Sequence, residues 1–129
     1  MSTSPEIIAT EGAPKAIGPY AQAVRHGGVV YCSGQVGRIP GATGLVGEDV
    51  ASQTRQCLAN LVLVLEAAGS SLDHVLSVSV FLIDMADFTS MNQVYAEIFG
   101  SWTPARATVA VAALPMGARV EIGLIAAVR

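Results

Sequence analysis

The chain has 129 residues, a length that predicts a single domain over residues 1–129 with a sizeable buried core. Hydrophobic residues make up 52% of the sequence and charged residues only 13%, against roughly 25% charged in an average globular domain, so we expect a homo-oligomer whose subunits cover apolar surface. A formal net charge of −3, with seven scattered basic residues, argues against binding to nucleic acid or to an acidic membrane surface.

The first part of the chain predicts β-structure. Residues 7–10 are compatible with a short extra strand. Residues 20–24 and 29–33 are strand-like and lie on either side of the turn-forming run His26-Gly27-Gly28, which predicts a β-hairpin. Residues 37–47 contain four glycines and a proline and are predicted to form a loop.

Two helices are predicted in the rest of the chain. Residues 48–68 have apolar positions at helical spacing, an acidic start and Gly69 after the end. The second helix begins near Phe88, with Asp87 as its N-cap, and ends at Gly100. Its apolar side consists of Phe88, Met91, Tyr95, Ile98 and Phe99.

Three further strands are predicted over residues 75–83, 105–112 and 119–128, the last two separated by a turn at residues 114–117. The resulting order is β-β-α-β-α-β-β. This order predicts an α+β domain with two helices packed on one face of a mixed β-sheet. The other face of the sheet needs a cover, and further copies of the same chain are the expected cover.

No feature typical of a secreted or membrane-bound protein is found. Residues 1–10 lack the basic start and apolar core of a signal peptide, and the longest apolar run, residues 61–65, is far shorter than the roughly 20 residues that span a bilayer. Cys32 and Cys57 lie in apolar segments and form no C-x-x-C pair, a pattern typical of buried free thiols. We expect a cytoplasmic protein.

Metal and cofactor motifs are also missing from the sequence. The two histidines, His26 and His74, are isolated, whereas metal sites need ligands clustered at a fixed spacing. The glycines of the 37–47 loop lack the lysine and the strand-to-helix setting of a phosphate-binding loop. With no nicotinamide, flavin or pyridoxal signature, we expect neither a cofactor nor a metal.

Two charged residues lie inside apolar strands, where a charge is costly unless it is paired or used. Arg106 carries a planar guanidinium that matches a carboxylate with two parallel hydrogen bonds. Glu121 is turned by strand alternation away from the face of Val120 and Ile122. A salt bridge between neighbouring strands, or exposure at strand ends, would also explain these charges, whereas a cleft between subunits would favour a binding site.

Five short motifs follow one another along the chain: Ile17-Gly18-Pro19-Tyr20, Ser33-Gly34-Gln35, Asn92, Pro104-Ala105-Arg106 and Val120-Glu121-Ile122. Each is weak evidence alone, but their order and spacing together resemble the reactive intermediate deaminase family (RidA/YjgF), from about Ile8 to Val128. The resemblance implies a chorismate-mutase-like fold assembled as a homotrimer, with three sites in the clefts between subunits.

The resemblance also implies an activity, which is the cofactor-free hydrolysis of 2-aminoacrylate and other small enamines or imines to 2-keto acids and ammonia, as in 2-iminobutanoate/2-iminopropanoate deaminases. By position, Arg106 would bind the substrate carboxylate and Glu121 would hold or activate the attacking water. The other residues carried over by position are Tyr20, Ser33, Phe88 and Asn92 as pocket lining, with backbone hydrogen bonds around Gly34 and Thr108.

Two positions depart from the family pattern. Gly123 stands where members often carry an acid, and Thr108 stands where some carry a cysteine, which leaves the substrate range open. Tyr20 could instead anchor the hairpin, and Phe88 could be a core residue. Ser33 and Asn92 could satisfy nearby backbone groups.

Two other functions compete with hydrolysis of imines. A metabolite-binding or regulatory module on the same fold would use Arg106 to hold a keto acid without turnover. An endoribonuclease or translation inhibitor, a function attached to relatives, is disfavoured by the acidic charge and by the lack of a histidine pair.

Overall fold

The computed structural model describes residues 4–129, which form one six-stranded mixed β-sheet and two α-helices. The strands are β1 (Glu6–Ile8), β2 (Ala23–His26), β3 (Val29–Gln35), β4 (Val75–Leu82), β5 (Ala105–Ala110) and β6 (Val120–Ala127). The helices are α1 (Val50–Ala67) and α2 (Phe88–Phe99). The strands are ordered β1-β2-β3-β6-β4-β5 across the sheet; β4 and β5 run parallel, and every other neighbouring pair is antiparallel.

Both helices pack on one face of this sheet, which confirms the predicted α+β architecture. The shared core contains Leu58 and Leu61 from α1, Met91 from α2, Val80 from β4 and Ile122 from β6, all fully buried. Alternate residues of the strands point to the opposite face, which neither helix covers. No helix formed by residues 4–129 is both long and apolar enough to cross a lipid bilayer.

The predicted hairpin is present, but β2 begins at Ala23 and not at residue 20. Its turn is made by Gly27 and Gly28, which both have positive φ angles of 59° and 78°, as the tightest β-hairpin turns require. Residues 20–22 lie outside the strand. The chain turns before them, where the backbone N–H of Tyr20 donates to the carbonyl of Gly18 at 2.9 Å, and the Gln22 side chain is bound to another segment. Its amide donates to the carbonyl of Pro14 at 2.8 Å, and its oxygen accepts from the backbone N–H of Thr10 at 2.7 Å.

The ends of α1 follow the capping rules that predicted the helix. Asp49 lies at the N-cap, where its carboxylate accepts a hydrogen bond from the backbone N–H of Ser52 at 2.9 Å. Gly69 has a φ of +79°, and the backbone N–H of Ser70 donates to the carbonyl of Leu65, which closes the last turn. The helix therefore occupies the predicted segment to within two residues at its start.

The start of α2 differs from the prediction in one respect. The helix begins at Phe88 and ends before Gly100, as expected, but the Asp87 carboxylate makes no capping hydrogen bond. Asp87 instead accepts two hydrogen bonds from the Arg119 guanidinium, at 2.8 and 3.1 Å. The capping role predicted for Asp87 is therefore wrong, because an ion pair with a distant strand competes for its carboxylate and wins.

Truncation of a core leucine on α1 should separate burial from helix propensity. We expect Leu61→Ala to lower the free energy of unfolding by about 2–5 kcal/mol, because Leu61 is fully buried and its removal leaves a cavity. Leu63→Ala is the matched control, since Leu63 lies on the same helix but is 40% exposed, and it should cost less than about 1 kcal/mol. Urea unfolding followed by circular dichroism measures both values, and equal losses would contradict this assignment of the core.

Candidate active site

The structure divides the expected site residues between the two faces of the sheet. Arg106 pairs with Val78, whose side chain is buried under the helices. Glu121 pairs with Phe81, three residues further along β4, whose side chain points to the opposite face of the sheet. Directly paired residues of a sheet point to the same face. Arg106 therefore faces the helices, and Glu121 lies on the face that the helices leave open.

This arrangement rules out a salt bridge between neighbouring strands as the reason for the two charges. Strand β4 lies between β5 and β6, so Arg106 and Glu121 are not on neighbouring strands. Within residues 4–129 the two side chains form no ion pair with each other. Each of the two charged side chains therefore has its own separate surroundings.

The first group, which we call the arginine cluster, consists of Arg106, Phe88, Asn92, Tyr95 and Thr108. Nη1 of Arg106 donates a hydrogen bond to Oδ1 of Asn92 at 2.7 Å. The guanidinium carbon lies 4.7 Å from the ring centre of Tyr95 and 5.6 Å from that of Phe88, so both rings attract the cation. These contacts fix the plane of the guanidinium, while its other N–H groups are available to bind a carboxylate.

Tyr95 contacts Arg106 although its spacing predicts only a place on the apolar side of the helix. Phe88, Asn92 and Tyr95 are separated by four and three residues and so form one stripe along α2. The asparagine within this apolar stripe was the available signal that the stripe contacts a polar group. Burial raises the pKa of the Tyr95 hydroxyl, an effect that the neighbouring Arg106 opposes.

Two hydroxyl groups of the arginine cluster are buried without a partner. Among residues 4–129, Oη of Tyr95 and Oγ1 of Thr108 are the buried side-chain oxygen or nitrogen atoms that form no hydrogen bond. A buried polar atom without a hydrogen bond is costly. The Tyr95 hydroxyl lies close enough to Arg106 for the guanidinium to lower its pKa, whereas the Thr108 hydroxyl has no hydrogen-bond partner among the same residues. Phe88 also packs against the main core, so its alternative role as a core residue holds together with its contact to Arg106.

The second group, which we call the glutamate pocket, surrounds Glu121 on the open face. It is a cavity of about 430 Å³ whose walls include Ile17, Tyr20, Ser33, Gly34, Met116 and Glu121. A Cβ atom at Gly34 would lie 2.6 Å from Oε2 of Glu121, a distance that atoms do not tolerate. The glycine at this position therefore makes room for the carboxylate.

The two hydroxyl groups of the glutamate pocket are oriented by backbone atoms. The Tyr20 hydroxyl accepts a hydrogen bond from the backbone N–H of Ile17 at 3.2 Å, so its own proton remains available for donation. Oγ of Ser33 donates to the carbonyl of Ala21 at 2.6 Å, so its lone pairs remain available to accept. These two hydroxyl groups thus offer one donor and one acceptor beside the carboxylate, and Arg38 also lines the pocket.

The electrostatics of the glutamate pocket favour a basic carboxylate. Burial raises the pKa of Glu121, and within residues 4–129 no cation or hydrogen-bond donor pairs with its side chain. Cys32 pairs with Leu124 and packs against the core on the helix face, where burial raises the pKa of its thiol to about 12, so this cysteine is not a thiolate at neutral pH. Among the same residues no three His, Cys, Asp or Glu side chains are grouped closely enough to hold a metal ion.

Comparison with known proteins gives consistent matches over nearly the whole chain. The family model described as Endoribonuclease L-PSP matches residues 10–128. A RutC family protein of Pyrococcus horikoshii is 49% identical over 121 residues, which are 94% of this chain and 96% of that protein. The 2-iminobutanoate/2-iminopropanoate deaminase of Mus musculus is 46% identical over 121 residues, which are 94% of this chain and 90% of that protein.

A solved structure is also similar to this chain over nearly its whole length. The crystal structure of E. coli TdcF with bound serine superimposes with a TM-score of 0.91 at 38% sequence identity, and the match covers 96% of this chain and 99% of that chain. At this identity the likeness extends beyond the general fold.

The raised pKa of Glu121 leads to a prediction about stability. Because the ionised form is disfavoured in the folded chain, the stability of the wild type relative to Glu121→Gln should fall as the pH rises through the raised pKa. We therefore expect Glu121→Gln to gain in free energy of unfolding against the wild type between pH 4 and pH 8. Urea unfolding across this range measures the gain. Glu11→Gln, at an exposed loop position, is the control variant.

Proposed function

Because the chain belongs to the reactive intermediate deaminase family, which the Endoribonuclease L-PSP model and the deaminase relatives represent, we propose that it hydrolyses small 2-imino acids and their enamine tautomers to 2-keto acids and ammonia. The observation that carries the proposal is the pair of separate half-sites. An arginine held for carboxylate binding lies on one face, and an unpaired carboxylate with a raised pKa lies on the other.

The arginine cluster would bind the substrate carboxylate. Arg106 is held by Asn92 and the two aromatic rings, so little side-chain entropy is lost when the carboxylate is bound. The backbone around Thr108, and not its buried hydroxyl, would add a further hydrogen bond to the same substrate. The serine bound to E. coli TdcF is also a small molecule that carries a carboxylate, which supports this choice of ligand class.

The glutamate pocket would supply the water. Glu121 accepts a proton from water as the water oxygen forms a bond to the imine carbon, and the C=N electron pair moves onto nitrogen, which takes this proton back from the Glu121 carboxyl group. The resulting carbinolamine loses ammonia as the C–N bond breaks and the C=O bond forms. In this second step the hydroxyl proton passes to the leaving nitrogen through Glu121, so the carboxylate is regenerated. The raised pKa makes Glu121 a stronger base than an exposed carboxylate, and a positioned base of this kind contributes about 10²–10⁴-fold.

The two half-sites must come from different copies of the chain if they act on one substrate. Within one chain they lie on opposite faces of the sheet, so we propose a homotrimer in which Arg106 of one subunit faces Glu121 of its neighbour. The open face of the sheet supports such an assembly. It exposes Tyr31, Val109 and Ile125, which are 50%, 47% and 37% accessible.

A coupled assay tests the proposed activity. An amino-acid oxidase generates the imine in situ, and formation of the 2-keto acid is followed with and without the protein. We expect the wild type to accelerate the hydrolysis and Arg106→Lys to lower kcat/KM by about 10²-fold, because lysine keeps the charge but loses the planar fork. Arg55→Lys, at an exposed arginine between the helices, should leave kcat/KM unchanged. A wild type without effect would contradict the proposal.

A mixing experiment tests the shared site. Arg106→Ala and Glu121→Gln chains are each expected to be nearly inactive. If each site takes its arginine and its glutamate from different subunits, random co-assembly of equal amounts of the two variants should restore about a quarter of the wild-type activity. Half of the sites receive an intact arginine, and half of those also receive an intact glutamate. Activity no higher than that of the separate variants would contradict the shared site, and analytical ultracentrifugation of each sample verifies that it assembles.

The same variants separate the competing functions. Binding of 2-oxobutanoate that depends on Arg106, with no acceleration of imine hydrolysis, would identify a metabolite-binding module. RNA cleavage that is lost in Arg106→Ala and Glu121→Gln would identify the nuclease activity in the description of the family model. RNA cleavage that persists in both variants would come from a contaminant.

A further inference from the structure

We propose that Asp87 and Arg119 are positioning residues whose ion pair holds the arginine cluster and the glutamate pocket of one chain in a fixed relation. The inference rests on the proposed function, because it concerns the geometry of the same two half-sites. It adds two residues that contact neither the guanidinium of Arg106 nor the carboxylate of Glu121.

The ion pair joins the start of α2 to the start of β6. Nε and Nη2 of Arg119 donate to Oδ2 and Oδ1 of Asp87 at 3.1 and 2.8 Å. The Asp87 side chain is only 12% exposed, so water screens the pair less than it screens an ordinary surface pair. Two parallel hydrogen bonds between a guanidinium and a carboxylate fix orientation as well as distance.

Each partner is adjacent in sequence to a half-site. Asp87 directly precedes Phe88 and lies five residues before Asn92, and both Phe88 and Asn92 contact Arg106. Arg119 lies two residues before Glu121. A shift of the first turn of α2 relative to β6 would therefore move Phe88 and Asn92, which orient Arg106, with respect to the sheet that carries both Arg106 and Glu121.

The backbone of Arg119 is independently anchored on the sheet side. Its N–H donates to Oε1 of Gln53 at 2.8 Å, and its carbonyl accepts from the N–H of Ile83 at 3.4 Å. Gln53 is 1% exposed, and its amide donates to the carbonyl of Gly47 at 2.8 Å. Arg119 is thus a fixed point, and its side chain is what connects that point to α2.

The orientation of Asp87 supports positioning over helix stabilisation. Aspartate is among the preferred N-cap residues because its carboxylate accepts hydrogen bonds from the first backbone N–H groups of a helix. Asp87 occupies this position and makes no such bond. Its carboxylate is turned to Arg119 instead, so stabilisation of α2 alone does not account for the geometry.

The test compares conservative variants at a temperature where circular dichroism shows each one to be fully folded. Asp87→Asn keeps the shape but removes the charge and should lower kcat/KM by about tenfold, since displacements of about 1 Å remote from the chemistry can cost up to about 10²-fold. Arg119→Lys keeps the positive charge but loses the planar guanidinium, and its kcat/KM should fall less than that of Asp87→Asn. Glu97→Gln breaks the exposed ion pair between Glu97 of α2 and Arg55 of α1, and its kcat/KM should stay within twofold of the wild type.

A purely stabilising pair gives a different result. In that case Asp87→Asn lowers the melting temperature but leaves kcat/KM at the wild-type value in folded protein, which overturns the proposal. The double variant Asp87→Asn/Arg119→Lys should lose no more than the worse single variant, because the two residues act as one unit. Losses that multiply overturn the proposal as well.

A measurement without substrate separates this inference from the proposed function. The Nε–H resonance of Arg106, assigned by its absence in Arg106→Lys, reports the ring currents of Tyr95 and Phe88 in the ligand-free protein. We expect Asp87→Asn to shift this resonance and Glu97→Gln to leave it in place. An unmoved resonance in Asp87→Asn overturns the positioning role even if imine hydrolysis is established. A shifted resonance supports it even if the wild type proves to have no such activity.

Discussion

The two-residue period of a β-strand is the constraint on which the rest of this molecule depends. Successive side chains of a strand point to opposite faces, and a pairing register fixes which residues share a face. In β4 the register places Val78 beside Arg106 and Phe81 beside Glu121, and these two positions differ by an odd number. The two charges that the sequence singles out are therefore separated by the full thickness of the sheet.

On the helix face, side chains from the first two turns of α2 hold the half-buried guanidinium of Arg106. Arg106 receives one hydrogen bond from Asn92 and two aromatic rings, and these contacts orient the guanidinium without neutralising it. A carboxylate in place of Asn92 would form an ion pair and compete with a bound substrate acid. The neutral amide holds the arginine and leaves its charge available to a ligand.

Much of the architecture could be predicted from sequence because each signal was local. The glycines at 27, 28, 69 and 100 adopt the positive φ angles that end their elements, and helix periodicity placed α1 and α2. The errors share a different cause. The strand predicted from residue 20 starts only at Ala23, after Gln22, whose side chain is held by residues 10–14. Asp87 does not cap α2 because Arg119, 32 residues later, takes its carboxylate. Neither distant partner is visible in a local window.

The candidate site was predictable residue by residue but not as a geometry. Arg106 and Glu121 stood out because charges inside apolar strands are costly, yet sequence alone does not give the strand order that separates them. Tyr95 was not predicted to contact Arg106, because an aromatic residue at helical spacing is ordinarily a core residue. Its ring does face inward, but it faces a guanidinium, and only the pairing of β4 with β5 brings that guanidinium under α2.

Separation of the two charges within a chain also preserves the chemistry of each. A guanidinium within a few ångströms of a carboxylate lowers the carboxylate pKa and makes it a weaker base, and it loses its own capacity to bind another anion. Here the Glu121 pKa is raised by burial, and no cation in residues 4–129 opposes the shift. In the proposed trimer the two groups would approach each other only across a subunit boundary, where a substrate carboxylate between them would occupy the arginine. The base would then keep its raised pKa at the moment when it must take a proton from water.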